Sequence, residues 1–259
     1  MLGAIAGDVI GSIYEWDNVK SKEFELFSSK SRFTDDSVLT IATMDSVLHG
    51  NTFEESYKKW FWKYPGAGFS GNFKKWAISN EPYYGFSNGS AMRVSPVGYF
   101  CDSLEEVLRM AEDSSAVTHN HPEGIKGAKA VASAIYLAKN GATKKELKDY
   151  VEKTFGYELG ESIDSIRKWY SFDVSCQGSV PQAIISFMDS DSYEDAVRNA
   201  ISIGGDSDTI ACITGGLAEA YYKEIPEYIT ERVMGILPDE MKEVLQRFYD
   251  EVYSRWMKQ

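Results

Sequence analysis

The chain has few cysteines and no pattern that would pair them. Cys101, Cys176 and Cys212 are widely spaced and odd in number, and they form no CxxC motif. A disulfide framework is therefore excluded as the organising feature of the fold. The pattern is typical of buried thiols in a reducing cytoplasm, where we expect the protein to be located.

A basic surface and a membrane-spanning run are also missing. Lys and Arg number 27 against 39 Asp and Glu, which gives a formal net charge of −12 at pH 7. Without a basic stripe to displace counterions, nucleic acid is not expected as the main partner. The apolar start MLGAIAGDVIGSIYEW has no basic flank and carries Asp8, so it predicts neither a signal peptide nor a membrane span. We expect a soluble protein that meets an anionic substrate locally, through metal, helix N-termini or a few cations.

No segment alternates apolar and polar residues for long enough to predict a strand. The chain of 259 residues is therefore expected to be all-α and to form one domain, 1–259. Within the first predicted helix, at about residues 2–14, Gly3, Gly7 and Gly11 are spaced by four and would allow close packing. Residues 64–98 are predicted to be loops around one short helix. The other predicted helices are 35–49, 52–63, 104–117, 123–139, 143–154, 161–169, 179–189, 192–202, one after Asp206, and 238–257.

Two acidic clusters, far apart in sequence, each stand where a helix is predicted to begin. Capping explains such residues, because Asp, Ser and Thr accept hydrogen bonds from first-turn N–H groups. Metal binding explains them equally well, because converging hard oxygen ligands suit Mg²⁺ or Mn²⁺ and would relieve the repulsion between carboxylates. The local chemistry leaves these two interpretations level. The clusters are Thr34, Asp35 and Asp36, and, behind Gly204 and Gly205, Asp206, Ser207, Asp208 and Thr209.

Three further features are candidates for a site. The segment GFSNGS, residues 85–90, offers small side chains and backbone amides that would suit a phosphate-binding turn, or it is an ordinary Gly-Asn turn. Glu15, at the end of the first helix, is either a proton-transfer group or a surface acid. His119 and His121 form an HxH pair, which is expected to cap or hydrogen-bond rather than to bind zinc.

Five segments of the chain together resemble the ADP-ribosylglycohydrolase family, and they follow one another in the family order from end to end. They are GAIAGDVIGSIYEW, FTDDSVLT, NGSAMRVSPVG, THNHPEG and GGDSDTIACITGGLAEAYY. FTDD and GGDSDT are the most specific of these motifs. The resemblance implies a single compact, orthogonal, all-α domain whose active-site cleft is built from loops and helix N-termini. It implies two Mg²⁺ ions, with Mn²⁺ as an alternative, bound by Thr34, Asp35, Asp36, Asp206, Asp208 and Thr209.

The resemblance also implies roles for individual residues. Glu15, Asp35 and Asp36 would be catalytic, with Glu15 on a movable segment that approaches the metals. The loop at Gly85 would hold a diphosphate, and His119 would lie near the ribose. The predicted substrate-binding residues are Gly85, Phe86, Ser87, Asn88, Gly89, Ser90, Met92, His119, Gly204, Gly205 and Ser207.

The implied activity is hydrolysis of the C1″ glycosidic bond of an ADP-ribose conjugate, a modified protein or a small molecule, with release of ADP-ribose. Nucleic acid enters only as a modified acceptor. A metal-dependent nucleotide phosphohydrolase and a non-catalytic ADP-ribose-binding protein are the alternatives. Two departures from the family pattern, Phe69 in place of an Asp and Ser87 in place of a Gly, leave the acceptor open among arginine, serine, a nucleic-acid end, O-acetyl-ADP-ribose or another N-glycoside.

Overall fold

The computed structural model describes residues 1–79 and 83–257, and all regular secondary structure in these two ranges is α-helical. Two isolated antiparallel bridges, Tyr84 with His119 and Ser87 with Ser175, are the strand-like pairings of this part of the chain. The prediction of an all-α fold is confirmed. The helices are α1 (Leu2–Gly11), α2 (Asp35–His49), α3 (Phe53–Lys63), α4 (Gly71–Ser79), α5 (Gly89–Met92), α6 (Ser95–Phe100), α7 (Leu104–Ala116), α8 (Pro122–Lys139), α9 (Lys144–Phe155), α10 (Ile163–Trp169), α11 (Cys176–Met188), α12 (Tyr193–Ser202), α13 (Ser207–Tyr222), α14 (Glu227–Ile236) and α15 (Asp239–Trp256).

Two helices, α1 and α13, cross at the centre of the fold and are buried over almost their whole lengths. The glycine stripe of α1 faces the backbone of α13. A Cβ atom at Gly7 would lie 2.0 Å from the carbonyl oxygen of Ala211, and one at Gly11 would lie 2.5 Å from the Cα of Asp208. The predicted close packing of this stripe is confirmed. As a result, Asp8 of α1 lies beside the first turn of α13.

The helix boundaries differ from the predicted ones where capping or tertiary packing decides them. α1 ends at Gly11, and a turn continues to residue 14. α11 begins at Cys176 because Ser175 caps it, accepting a hydrogen bond from Gly178 N at 3.1 Å.

Three helices had no predicted counterpart. The short α5 and α6 occupy part of the segment predicted as loop, and α14 was missed. Pro82, within the predicted loop segment 64–98, lies outside the described residues.

Two further expectations concern the cysteines and a membrane-spanning helix. Cys101, Cys176 and Cys212 are buried free thiols, as expected. Across 1–79 and 83–257, no helix combines the length and apolarity needed to cross a bilayer.

Candidate active site at the N-termini of α2 and α13

The N-terminus of α2 carries both a cap and surplus carboxylates. Thr34 is the N-cap residue, and its Oγ1 accepts a hydrogen bond from Asp36 N at 3.3 Å. Thr34 therefore caps α2, which leaves the carboxylates of Asp35 and Asp36 for another use, and its role as a metal ligand stays a prediction. Asp206 precedes α13 in the same way but makes no side-chain capping bond.

The two acidic clusters meet in space. Carboxylate oxygens of Asp8, Asp36 and Asp208 lie within 4.8 Å of one another, and so do those of Glu15, Asp206 and Asp208. The two triads share Asp208, so the carboxylates form one continuous group. Asp35 belongs to neither triad but lines the same cleft, where Gly68 lies against its Oδ1.

Asp8 is a member of this acidic group that the sequence reasoning missed. Its Oδ1 accepts a hydrogen bond from Thr34 Oγ1 at 2.6 Å, and its Oδ2 accepts from Thr34 N at 2.9 Å, Ser37 N at 3.1 Å and Ser37 Oγ. Asp8 therefore ties α1 to the first turn of α2. An acid inside a helix apolar on all sides is the signal that could have revealed it, because a buried charge requires partners.

Burial and mutual repulsion oppose ionisation of these groups. Burial is the largest cause and raises the pKa of Asp35 to about 8 and that of Glu15 to about 7, with neighbouring carboxylates adding to both. The pKa values of Asp36 and Asp208 are raised well above their usual range for the same reasons. Asp36 Oδ1 is buried and has no hydrogen-bond partner among the described residues. Hard oxygen donors, one of them unpartnered, fit a divalent cation, which would neutralise the group.

A cavity of about 210 Å³ opens onto this acidic group. Tyr83, Arg93 and Val174 line it as well, although the sequence had not singled them out. Eleven of the predicted site residues contribute to its lining, which are Glu15, Asp35, Asp36, Ser87, Asn88, Gly89, Met92, His119, Asp206, Asp208 and Thr209.

Asn88 lies against a predicted metal ligand. Its Nδ2 donates to Asp206 Oδ2 at 2.7 Å and to Ser179 Oγ at 3.0 Å. Asn88, the residue before α5, thus connects the Asp206 carboxylate to Ser179 of α11 and orients that carboxylate. A role for Asn88 in substrate binding stays a prediction, whereas its contact with Asp206 is direct.

The predicted phosphate-binding turn has part of its backbone already engaged. Gly85 N donates to Thr118 O at 3.2 Å, and Asn88 N donates to Val174 O at 2.7 Å. The expectation of exposed amides does not hold for these two residues, because the two isolated bridges use them. An anion at this turn would have to be met by the amides of Phe86, Ser87, Gly89 or Ser90.

Other predicted residues, all within the described ranges, do not contribute to the lining of this cavity, and one of them, Phe86, is 50% exposed. Ser90 Oγ donates to Gly124 O at 2.8 Å, and Ser207 Oγ donates to Tyr14 O at 3.3 Å. Gly204 and Gly205 form a turn with φ values of +72° and +79°. Thr34, Gly85 and Phe86 complete this set.

His119 is a fixed, neutral imidazole. It is buried, and its Nε2 hydrogen-bonds with Ser87 Oγ at 2.8 Å while its Nδ1 hydrogen-bonds with Thr118 Oγ1 at 2.7 Å. Desolvation lowers its pKa well below the usual value, so the ring is uncharged at neutral pH. His121 caps α8, where its Nδ1 accepts from Glu123 N at 3.2 Å, as expected for one member of the HxH pair.

Phe69, the departure from the family pattern, belongs to the hydrophobic core. It is buried and stacks on Phe73 with ring centroids 5.0 Å apart. Its neighbours Gly68 and Ser70 line the cleft instead. The position therefore contributes packing and brings no carboxylate to the site.

The chain matches known proteins over nearly its whole length. The family model described as ADP-ribosylglycohydrolase matches residues 1–258. Human ADP-ribosylhydrolase ARH3 is 28% identical, over 88% of this chain and 86% of its own length. ADP-ribosylarginine hydrolase Tri1 of Pseudomonas putida is 22% identical, over 98% of this chain and 77% of its own length. A solved ADP-ribosylglycohydrolase-related protein complex has the same fold, with a TM-score of 0.72 and 21% identity over 97% of this chain and 95% of its own.

Proposed function

The chain belongs to the ADP-ribosylglycohydrolase family, a family of hydrolases, and on that premise we propose that it cleaves the C1″ glycosidic bond of an ADP-ribose conjugate in a reaction that depends on divalent cations. The convergence of Glu15, Asp36, Asp206 and Asp208 in one cleft carries the proposal. Neither capping nor core packing requires so many carboxylates in one buried place.

The proposed cofactor is a pair of Mg²⁺ ions, with Mn²⁺ as the alternative. Thr34 can contribute because its hydroxyl donates to Asp8, accepts from Asp36 N and retains a second lone pair. Such ions, when bound, hold the ribose 2″ and 3″ hydroxyls and make a water nucleophilic at neutral pH. The proposed ligands are Thr34, Asp35, Asp36, Asp206, Asp208 and Thr209.

Residues of the protein are proposed to transfer protons, orient the metal ligands and bind the diphosphate. Glu15, whose carboxyl lies in the cleft beside Asp206 and Asp208, is proposed to transfer protons during hydrolysis. Asn88 holds the Asp206 carboxylate in one orientation, and His119 holds Ser87. The surrounding carboxylates favour the positive charge that develops at the anomeric carbon. The amides of residues 86, 87, 89 and 90 are proposed to meet the diphosphate.

The acceptor is proposed to be a protein side chain or a small molecule. Nucleic acid is proposed as an acceptor only where its end carries the ADP-ribose. The relatives differ in the acceptor that their names state, since Tri1 is named an ADP-ribosylarginine hydrolase and ARH3 is named without an acceptor. The burial of Phe69 weighs against a mechanism that needs an acid at that position. We treat 1–259 as one domain, because the site combines residues from both ends of the chain. The three buried free thiols support a cytoplasmic location.

The test is a panel of arginine-, serine- and DNA-linked ADP-ribose conjugates at one Mg²⁺ concentration, with products separated by chromatography. We expect ADP-ribose and unmodified acceptor from at least one conjugate. AMP as the product would replace the glycosidase with a phosphohydrolase. Tight ADP-ribose binding without turnover of any conjugate would favour the non-catalytic binder. Asp206→Asn serves as the control, because it removes a proposed ligand and keeps a group that can accept from Asn88.

A further inference from the structure

The segment that carries Glu15 is attached to the turn before α13 by one side chain. Asn18 Nδ2 donates to Glu15 O at 3.0 Å, to Tyr14 O at 2.6 Å and to Gly205 O at 3.0 Å. Asn18 Oδ1 accepts from Gly205 N at 2.8 Å. The amide group of Asn18 thus contacts the backbone of Glu15 and both backbone polar groups of the residue that precedes Asp206.

Gly205 is closely packed at this contact. Its φ of +79° is a conformation that favours glycine, and a Cβ atom there would lie 2.5 Å from the ring of Tyr170. The preceding residue, Gly204, also has a positive φ, and its N–H donates to Ile201 O at 3.0 Å. The Glu15 segment therefore contacts a turn whose backbone conformation depends on these two glycines.

Two neighbouring residues attach the same segment to the same region. Lys20 Nζ donates to Tyr170 O at 2.6 Å and to Ile203 O. The ring of Trp16 stacks on Phe172 with centroids 5.1 Å apart, although Trp16 itself is 79% exposed. Neither of these two side chains has a hydrogen bond to Glu15 backbone among the contacts described for residues 1–79 and 83–257, whereas Asn18 does.

We propose that Asn18 is a positioning residue that fixes the backbone of Glu15 relative to Asp206. This inference rests on the proposed function only for its consequence, because the contacts themselves exist without substrate. Glu15 and Asp206 belong to one triad of carboxylates, so a displacement of the Glu15 segment changes the spacing of that triad. Asn18 acts through the backbone and lies outside the cleft lining.

The first measurement is hydrogen exchange on the metal-free protein, which needs no activity. Asn18→Ala should raise exchange about 10-fold or more at the amide of Gly205, which loses its acceptor, and at the amides of Ser12 and Tyr14, whose hydrogen bonds close the turn that leads to Glu15, because closed hydrogen bonds slow exchange. Asn140→Ala is the matched control, because Asn140 Nδ2 also donates to a backbone carbonyl, Tyr136 O at 2.7 Å, in another part of the fold. Unchanged exchange at all three amides in Asn18→Ala would overturn the inference.

The second measurement is turnover of the best conjugate. Asn18→Ala should lower kcat about 10- to 100-fold with a KM within about 3-fold of wild type, because a misplacement of about 1 Å is enough for such losses. On a Glu15→Gln background the same change should cost little more, since both variants disable one group. Asn18→Gln keeps the amide on a longer side chain and should recover part of kcat. Additive losses in the double variant would assign Asn18 a structural role alone.

The outcomes separate this inference from the proposed function. A wild-type protein that turns over no conjugate contradicts the proposed function, while the exchange result still decides whether Asn18 holds the Glu15 segment. Should Asn18→Ala be unfolded by circular dichroism, Asn18→Gln takes its place in both measurements. Wild-type exchange and wild-type kcat in Asn18→Gln and Asn18→Ala alike would reject the role.

Discussion

Gly7→Ala tests whether the close crossing of α1 and α13 builds the site. An alanine Cβ at residue 7 would lie 2.0 Å from Ala211 O, 2.5 Å from Ala211 C and 2.9 Å from Cys212 N. All three atoms belong to the backbone of α13, so no side chain can rotate away. Ordinary contacts between such atoms begin near 3.5 Å, so the helices must separate locally by roughly 1.5 Å. Overpacking of this kind costs about 1–3 kcal/mol, and we expect the upper end.

Gly235→Ala is the matched control for this substitution. Gly235 lies in the last turn of α14, and no atom of the described residues lies within 4 Å of a Cβ atom placed there. In a helix, alanine is favoured over glycine by up to about 1 kcal/mol. The two glycine-to-alanine changes should therefore shift the free energy of unfolding in opposite directions, with a difference of roughly 2–4 kcal/mol.

The assay is urea unfolding followed by circular dichroism, with the metal-free and the Mg²⁺-loaded protein compared. Gly7→Ala should lower the unfolding midpoint, and it should also reduce the stabilisation by Mg²⁺, because Asp8 follows the displaced residue and faces Asp208. A Gly7→Ala protein with the wild-type midpoint and the wild-type response to Mg²⁺ would refute the reasoning. Such a result would mean that α1 and α13 can move apart without disturbing the acidic group.

Three further predictions concern the acidic group. Asp8→Ala leaves the N–H groups of Thr34 and Ser37 without their acceptor and should lower the free energy of unfolding by about 2–6 kcal/mol. Asp8→Asn keeps an acceptor, so urea unfolding should show a smaller loss. The pKa of Glu15 is raised to about 7 and that of Asp35 to about 8, so both carboxyls hold their protons more tightly in the folded state than in the unfolded state. The metal-free protein should therefore lose stability as pH rises from about 4 to about 8. A divalent cation at about 100 times its Kd should then raise Tm by roughly 5–10 °C at pH near 8 and by less at pH near 5, and an equal shift at both values would contradict the assignment. Asp206→Asn should lower the affinity for Mg²⁺ and remove most turnover while the helical content stays, and wild-type turnover at limiting Mg²⁺ would reject its role.

Features encoded by local pattern were predictable from the sequence. Helical periodicity predicted most of the helices, and the spacing of Gly3, Gly7 and Gly11 predicted a close crossing, which α13 provides. The surplus of carboxylates at two predicted helix starts indicated that the two clusters meet, and they do. Each helix and each acidic cluster by itself is encoded within a few turns of the chain, and the surplus of carboxylates in both clusters is what indicated that they meet.

Features that depend on distant partners were not predictable in this way. Asp8 receives its hydrogen bonds from Thr34 and Ser37, 26 and 29 residues away, and Asn18 bonds to Gly205, 187 residues away. No periodicity encodes such pairs, so Asp8 stood out only as an acid in an apolar helix. The engaged amides of Gly85 and Asn88 have the same origin, because their acceptors Thr118 and Val174 come from other segments.

Calorimetric titration of the metal-stripped protein with Mn²⁺, followed by turnover of an ADP-ribose conjugate at each occupancy, tests the central claim most directly. The convergence of Asp36, Asp206 and Asp208 predicts two ions per chain in the wild type and weaker binding in Asp206→Asn. Release of ADP-ribose should rise with occupancy and stop in excess chelator. Undiminished release of ADP-ribose by the metal-stripped protein would contradict the claim that this acidic group works through divalent cations.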